Sequence, residues 1–118
     1  MENRLHTVKQ ILEADIYEIV DPKVKIITKS QSKQSVMKNQ VSMQKIDTIV
    51  ADDTGTIKLI LWEQLIDSVH TGLSYQFNNL TIRIFDGEKF VNSNELTTVE
   101  PLDDITIHMK SPETKDSY

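Results

Sequence analysis

The chain has 118 residues, 38% of them hydrophobic and 6% aromatic, with a formal net charge of −5 and no cysteine. That length suits one domain with a single core, expected to be aliphatic because aromatics are few, and the supply of Ile, Val and Thr leans toward strands. No apolar run approaches membrane-spanning length, no signal-peptide pattern opens the chain, and the missing cysteines exclude disulfides, Cys-ligated zinc and a thiol nucleophile.

Taken in order, Met1–His6 reads as a frayed terminus. Thr7–Leu12 fits either a short strand or a helical turn, with Val8, Ile11 and Leu12 apolar. Glu13–Val20 stays ambiguous: Ile16, Ile19 and Val20 suit a helical face, while Asp15–Ile19 also alternates. Asp21-Pro22 breaks whatever precedes it. Lys23–Lys29 is a strand with Val24 and Ile26 on one face. Ser30–Gln40 is polar and basic and reads as a long mobile hairpin loop. Val41–Ala51 is a second strand, with Val41 and Met43 on one face and Ile46, Thr48 and Val50 on the other. A bulge or face switch near Lys45 is expected there.

The stretch Ile49–Glu63 organises the rest. Asp52-Asp53-Thr54-Gly55 is a tight turn in which Gly55 supplies positive φ and the Asp side chains bond nearby N–H groups. In the strand that follows, Ile57, Leu59 and Leu61 form an aliphatic face. Thr56, Lys58, Ile60 and Trp62 point the other way. A single outward tryptophan is more often covered by the next element than used. Beside a lysine on a sheet it also suits a ligand or partner surface.

Glu63–His70 has a helical pattern with Gly72 as its stop. Leu73–Phe85 is interrupted at Asn78-Asn79. Beyond the break, Leu80, Ile82 and Ile84 alternate with Thr81, Arg83 and Phe85. Asp86-Gly87 is a hairpin turn, Glu88–Asn92 the returning strand with Phe90 in it, and Glu95–Val99 a further short strand. Pro101 marks an exit. Residues 1–104 thus make one domain. Residues 105–118 are a C-terminal extension, with a strand or helix start at Ile105–Met109 and expected disorder from 110 onward.

The net charge conceals a dipolar distribution. Lys23–Lys45 holds six lysines and no acid, which leaves seven basic against eighteen acidic residues elsewhere, a net of −11. Such a run is commonly a solvated hairpin; it also attracts a polyanion locally.

Strand, long loop, long strand, tight turn, strand, short helix, strand, tight turn, strand is the order of an OB-fold. This is an all-β, five-stranded Greek-key barrel with one short helix, whose ligand face crosses its second and third strands. The segment Val50-Ala51-Asp52-Asp53-Thr54-Gly55-Thr56-Ile57-Lys58-Leu59-Ile60-Leu61-Trp62-Glu63 resembles the corresponding hairpin of single-stranded DNA-binding OB domains, those of the replication protein A large subunit above all. The resemblance runs from about Thr7 to Asp104. It implies that Trp62 and Phe90 stack bases, that Lys58 and Arg83 meet the phosphate backbone, and that the basic loop with Lys29, Lys33 and Lys38 closes over the strand. Phe85, outward beside Arg83, belongs to the same candidate surface. Three features depart from the pattern: the zinc ribbon that one such domain carries is absent, the loop has no aromatic, and the acidic remainder, Glu88 beside the hairpin included, is expected to weaken binding relative to a basic relative.

The expected function is therefore single-stranded DNA binding in replication, repair or recombination, with RNA tolerated, in the nucleus of a eukaryote or otherwise the cytoplasm. A second reading is an OB-fold protein-interaction subunit of a single-strand-binding or telomere-type complex, which the acidic total favours. No enzyme activity is expected: no phosphate loop or nucleophile elbow is present. His6, His70 and His108 lack metal-ligand spacing, so neither metal nor cofactor is expected. No membrane or small-molecule substrate is implied.

Overall fold

The structure, a computed structural model, describes residues 5–103. In chain order they form β1 (Leu5–His6), α1 (Val8–Glu13), β2 (Ile19–Lys29), β3 (Gln34–Lys38), β4 (Val41–Asp52), β5 (Gly55–Trp62), a 3-10 helix (Glu63–Ser68), β6 (Ser74–Asn78), β7 (Leu80–Phe85), β8 (Glu88–Asn92) and β9 (Thr98–Leu102). Five of these strands close a ring. β2 pairs with β4, β4 with β5, β5 in parallel with β8, β8 with β7, and β7 returns to β2. This is the OB barrel expected from the element order.

The inward faces are β-branched and aliphatic. Val20, Val24, Ile26, Ile46, Val50, Ile57, Leu59, Leu61, Leu80, Ile82 and Val91 are all buried. Full burial of one such side chain is worth about 1.5–3 kcal/mol, so the alternation read from the sequence is also the main source of stability. The core is not purely aliphatic, however. Phe77 is fully buried and Tyr75 nearly so, with ring centroids 6.1 Å apart. Both lie on β6, where every residue up to Phe77 is buried because β2 and β9 flank the strand. The Tyr75 hydroxyl accepts from the His70 backbone N–H at 2.9 Å.

Each end of the barrel is plugged. Ile66 and Val69 fill one end beneath the 3-10 helix, which stops at Ser68, short of the expected His70. At the other end α1 inserts Val8 and Ile11. Thr7–Leu12 is therefore helical, fixed by a capping box between Thr7 and Gln10. The Asp52–Gly55 turn completes that cap. Asp52 accepts from Val8 N–H at 2.9 Å and from Thr54 N–H at 2.8 Å, and the Thr54 hydroxyl accepts from Lys9 N–H at 2.9 Å. Gly55 sits at φ 159°, close to extended rather than left-handed, so the turn's chemistry lies in Asp52 more than in the glycine. Asp86 and Gly87, at φ 55° and 82°, do form the two-residue hairpin turn that their sequence announces.

Four further expectations change. Leu5 and His6 pair in parallel with Asp21 and Pro22 instead of fraying. β4 needs no bulge, because its two face sets already follow simple alternation through an unbroken register with β5. The bulge lies in β2, between Ile26 and Thr28. Ser30–Gln40 is not a long open loop: β3 pairs with β4 through a two-residue turn at Asn39-Gln40, both at positive φ. The last strand begins at Thr98, after a turn in which Asn94 and Thr97 bond each other, and Pro101 lies inside it. β9 is an edge strand, where proline is tolerated. The extension 105–118 lies outside the described residues.

Candidate nucleic-acid interface

Because successive side chains alternate across a strand, the residues facing away from the core are fixed by register. On β5 they are Lys58, Ile60 and Trp62. Across the parallel pairing with β8, Lys58 stands beside Phe90 and Ile60 beside Asn92. Across β7, Phe90 stands beside Arg83 and Asn92 beside Thr81. One row of the outer barrel therefore reads Lys58, Phe90, Arg83 over three neighbouring strands. At about 3.3 Å per residue, Trp62 lies about 13 Å farther along β5.

Trp62 is half-buried and held from several sides. Its indole Nε1–H donates to Asn92 Oδ1 at 2.8 Å, and its backbone N–H donates to Ser93 Oγ at 3.0 Å. The Lys38 and Lys45 ammonium groups lie 5.4 and 6.0 Å from its ring centroid, within cation–π range. Lys45 arrives by register, opposite Trp62 on β4; Lys38 arrives because β3 folds back on β4. An open groove of about 870 Å³ runs past the indole, with Asn79, Thr81, Arg83 and Asn92 among its lining.

Phe90 is half-buried, with Lys58 Nζ 5.7 Å from its centroid. Phe85 is 75% exposed at the tip of the same hairpin. The two rings line a second groove of about 630 Å³, together with Lys58, Leu12 and Ile49. Ile60 lies on this outer face as expected but is buried, 7% exposed. Ile84, assigned from the alternation to the core face, is 48% exposed because β7 there runs past the barrel.

The basic segment is divided. Lys38 joins Trp62, but Lys29 and Lys33 are at the end plugged by the 3-10 helix. Lys29 pairs with Thr48, whose side chain is buried, and its ammonium donates to the Val69 carbonyl at 2.8 Å. Lys33 lies 3.9 Å from Asp67. Lys89 is likewise occupied, donating to the Leu12 and Ala14 carbonyls at the C-terminal end of α1.

The family profile described as "Single-stranded DNA binding protein Ssb-like, OB fold" matches residues 10–101. The chain belongs to this Ssb-like OB-fold family. No curated protein sequence matches the chain. Among solved structures, a replication protein A heterotrimer bound to ssDNA contains a similar fold at 15% identity and a TM-score of 0.74. The match covers 90% of this chain and 26% of that one, so the chain spans about a quarter of its length. A replication factor A related protein from Methanobacterium thermoautotrophicum matches at 21% identity and a TM-score of 0.71, covering 87% and 94% of the two chains. The second OB-fold domain of replication protein A from Methanococcus maripaludis matches at 12% and 0.68, covering 86% and 98%.

Within this Ssb-like barrel the sequence reading missed three contributors. Asn92 orients the indole, Lys45 flanks it, and Tyr17 lies 5.2 Å by its ring from the Arg83 guanidinium. Lys45 and Asn92 were readable once the register was known. Tyr17 lies in a segment whose secondary structure was ambiguous. Among the described residues no group of three or more His, Cys, Asp or Glu is placed to hold a metal.

Proposed function

We propose that this Ssb-like OB domain binds single-stranded DNA, stacking unpaired bases on Trp62 and Phe90 while Lys38, Lys45, Lys58 and Arg83 meet the phosphates. The observation that carries this reading is the outer face itself: aromatic rings and cations alternate on adjacent strands, in register, over a closed barrel with an apolar core. Every base has a π-face, so stacking is sequence-tolerant and contributes roughly 1–3 kcal/mol per base. The cations add an attraction that falls with salt. Paired bases in a duplex hide their faces, so duplex DNA binds poorly. RNA binds by the same contacts. The process served is DNA replication, repair or recombination, in the nucleus of a eukaryote or otherwise the cytoplasm, without enzymatic activity of the domain itself.

Trp62 is the only tryptophan, so its fluorescence reports on the site. Titration with oligo(dT) at low salt is expected to quench it, and duplex of the same length is expected to do so weakly or not at all. Absence of quenching and of any emission shift overturns the reading. A protein-interaction role is favoured by the net −5 charge and by Met37 and Val41, exposed on the β3–β4 hairpin. That role is supported instead if a partner protein, and not oligo(dT), perturbs Trp62.

A further inference from the structure

Tyr17 occupies a conformation that its side chain does not favour. Its φ is 73°, in the left-handed region, where a non-glycine residue costs roughly 1–2 kcal/mol. The backbone there is held by β7: Tyr17 N–H donates to the Ile82 carbonyl at 2.6 Å, and Ile82 N–H donates to the Glu18 carbonyl at 3.0 Å. That bonding keeps the ring on the outer face without burying it. Tyr17 is 65% exposed, and the Arg83 guanidinium lies 5.2 Å from its ring centroid.

Arg83 ties this ring to the interface. It is the register neighbour of Phe90 and lines the groove beside Trp62. The Lys58, Phe90, Arg83 row thus continues to Tyr17, two residues ahead of β2, as cation, aromatic, cation, aromatic. At about 4.8 Å between neighbouring strands, Tyr17 and Phe90 are about 10 Å apart at the backbone. Bases stacked in a helix rise about 3.4 Å per step. The two rings therefore suit bases of a stretched, unstacked strand, with the guanidinium between them for a phosphate or a base face.

We propose that Tyr17 is a third base-stacking position, taking an unpaired nucleobase on its open ring face while Arg83 covers the other. This rests on the single-stranded DNA reading above and extends its footprint past Phe90 toward the start of β2. The bound chemistry is a nucleobase π-face, so the position discriminates base from sugar–phosphate without choosing among bases.

The test uses Tyr17→Gly, which deletes the ring and accepts the left-handed backbone, and Tyr17→Phe, which keeps the ring. Thermal melting first establishes that both fold. Each is then titrated with an oligo(dT) of about 12 nucleotides, with Trp62 fluorescence as the readout. Tyr17→Gly is expected to weaken binding about fivefold or more, and Tyr17→Phe to bind like the parent. With an oligonucleotide abasic at every position, the parent and Tyr17→Gly are expected to bind alike. An unchanged affinity for Tyr17→Gly, while oligo(dT) still quenches Trp62, overturns the Tyr17 position alone. A loss that Phe does not restore, or that persists on the abasic strand, also overturns it by marking a backbone role. If oligo(dT) quenches no variant and not the parent, the underlying reading falls instead.

Discussion

Trp62 and Phe90 share the outer face of one barrel, yet the protein holds them differently. The indole is fixed before any ligand arrives: the hydrogen bond that its Nε1–H donates to Asn92 Oδ1 sets its plane, and ammonium groups from β3 and β4 lie over it. The Phe90 ring has no polar anchor, one lysine beside it, and a more exposed Phe85 for a neighbour. Ordering a side chain on binding costs conformational entropy. A ring already immobilised delivers more of its stacking energy as affinity. On the proposed reading, the Trp62 end is the anchor and the β7–β8 hairpin the adaptable end.

Mutations can break this asymmetry or sharpen it. Trp62→Ala has the largest expected effect on oligo(dT) affinity, a loss toward the upper part of the roughly 1–3 kcal/mol range, about a hundredfold at most. Because its fluorescence is gone, anisotropy of a labelled oligonucleotide measures it. Phe90→Ala is expected to lose about 1 kcal/mol, near the lower end, with the Trp62 quenching amplitude retained. Equal losses for the two would erase the distinction. Asn92→Ala is expected to cost about 0.5–1.5 kcal/mol through the freed indole, and to lower the Trp62 fluorescence anisotropy of the unliganded protein. That second readout is one a loss of DNA contact alone would not move. Lys45→Gln is expected to reduce the slope of log affinity against log salt by about 1, with a small loss at fixed salt. Lys29→Gln is expected to leave the salt slope unchanged and to lower stability by about 1 kcal/mol, because the Val69 carbonyl loses its charged donor.

The contrast between Lys45 and Lys29 shows what the chain discloses by itself. Period-two alternation located β5 and β7 and sorted their faces, since a one-residue slip would have put isoleucines in water. That set Trp62, Lys58 and Arg83 outward; β8 was announced by the Asp86-Gly87 turn, and Phe90 was assigned by the family resemblance. The six lysines of the Lys23–Lys45 run were legible as a charge and not as a place. Their division depends on the β3–β4 hairpin, whose turn is Asn39-Gln40 where an Asn-Gly pair would have announced it. Lys29 turns inward only after a bulge in β2 that no residue type marks. Asn92 read as the end of a strand, with Ser93 just beyond it. Their bonds to Trp62 depend on the parallel β5–β8 pairing, which joins segments thirty residues apart. Tyr17 was hidden by the opposite problem, a segment that satisfied two periodicities at once.

The core records a similar limit. A scarcity of aromatics suggested an aliphatic interior, but Tyr75 and Phe77 sit on β6, a strand enclosed by two others. Ser74, Tyr75, Gln76 and Phe77 do alternate polar with aromatic, so the inward rings were legible in the local pattern and overlooked in the overall composition.

On the proposed reading, unpaired bases contact Trp62 through an interface already arranged in the free protein. Proton–nitrogen correlation spectra of uniformly labelled protein, recorded with increasing oligo(dT), test it most directly. The single indole N–H, the Asn92 side-chain amide and the backbone of Lys58, Phe90 and Arg83 are predicted to shift together, while the amides of Lys29, Ile66 and Val69 stay in place. Shifts confined to the end plugged by the 3-10 helix, with the indole N–H unmoved at saturation, would contradict this.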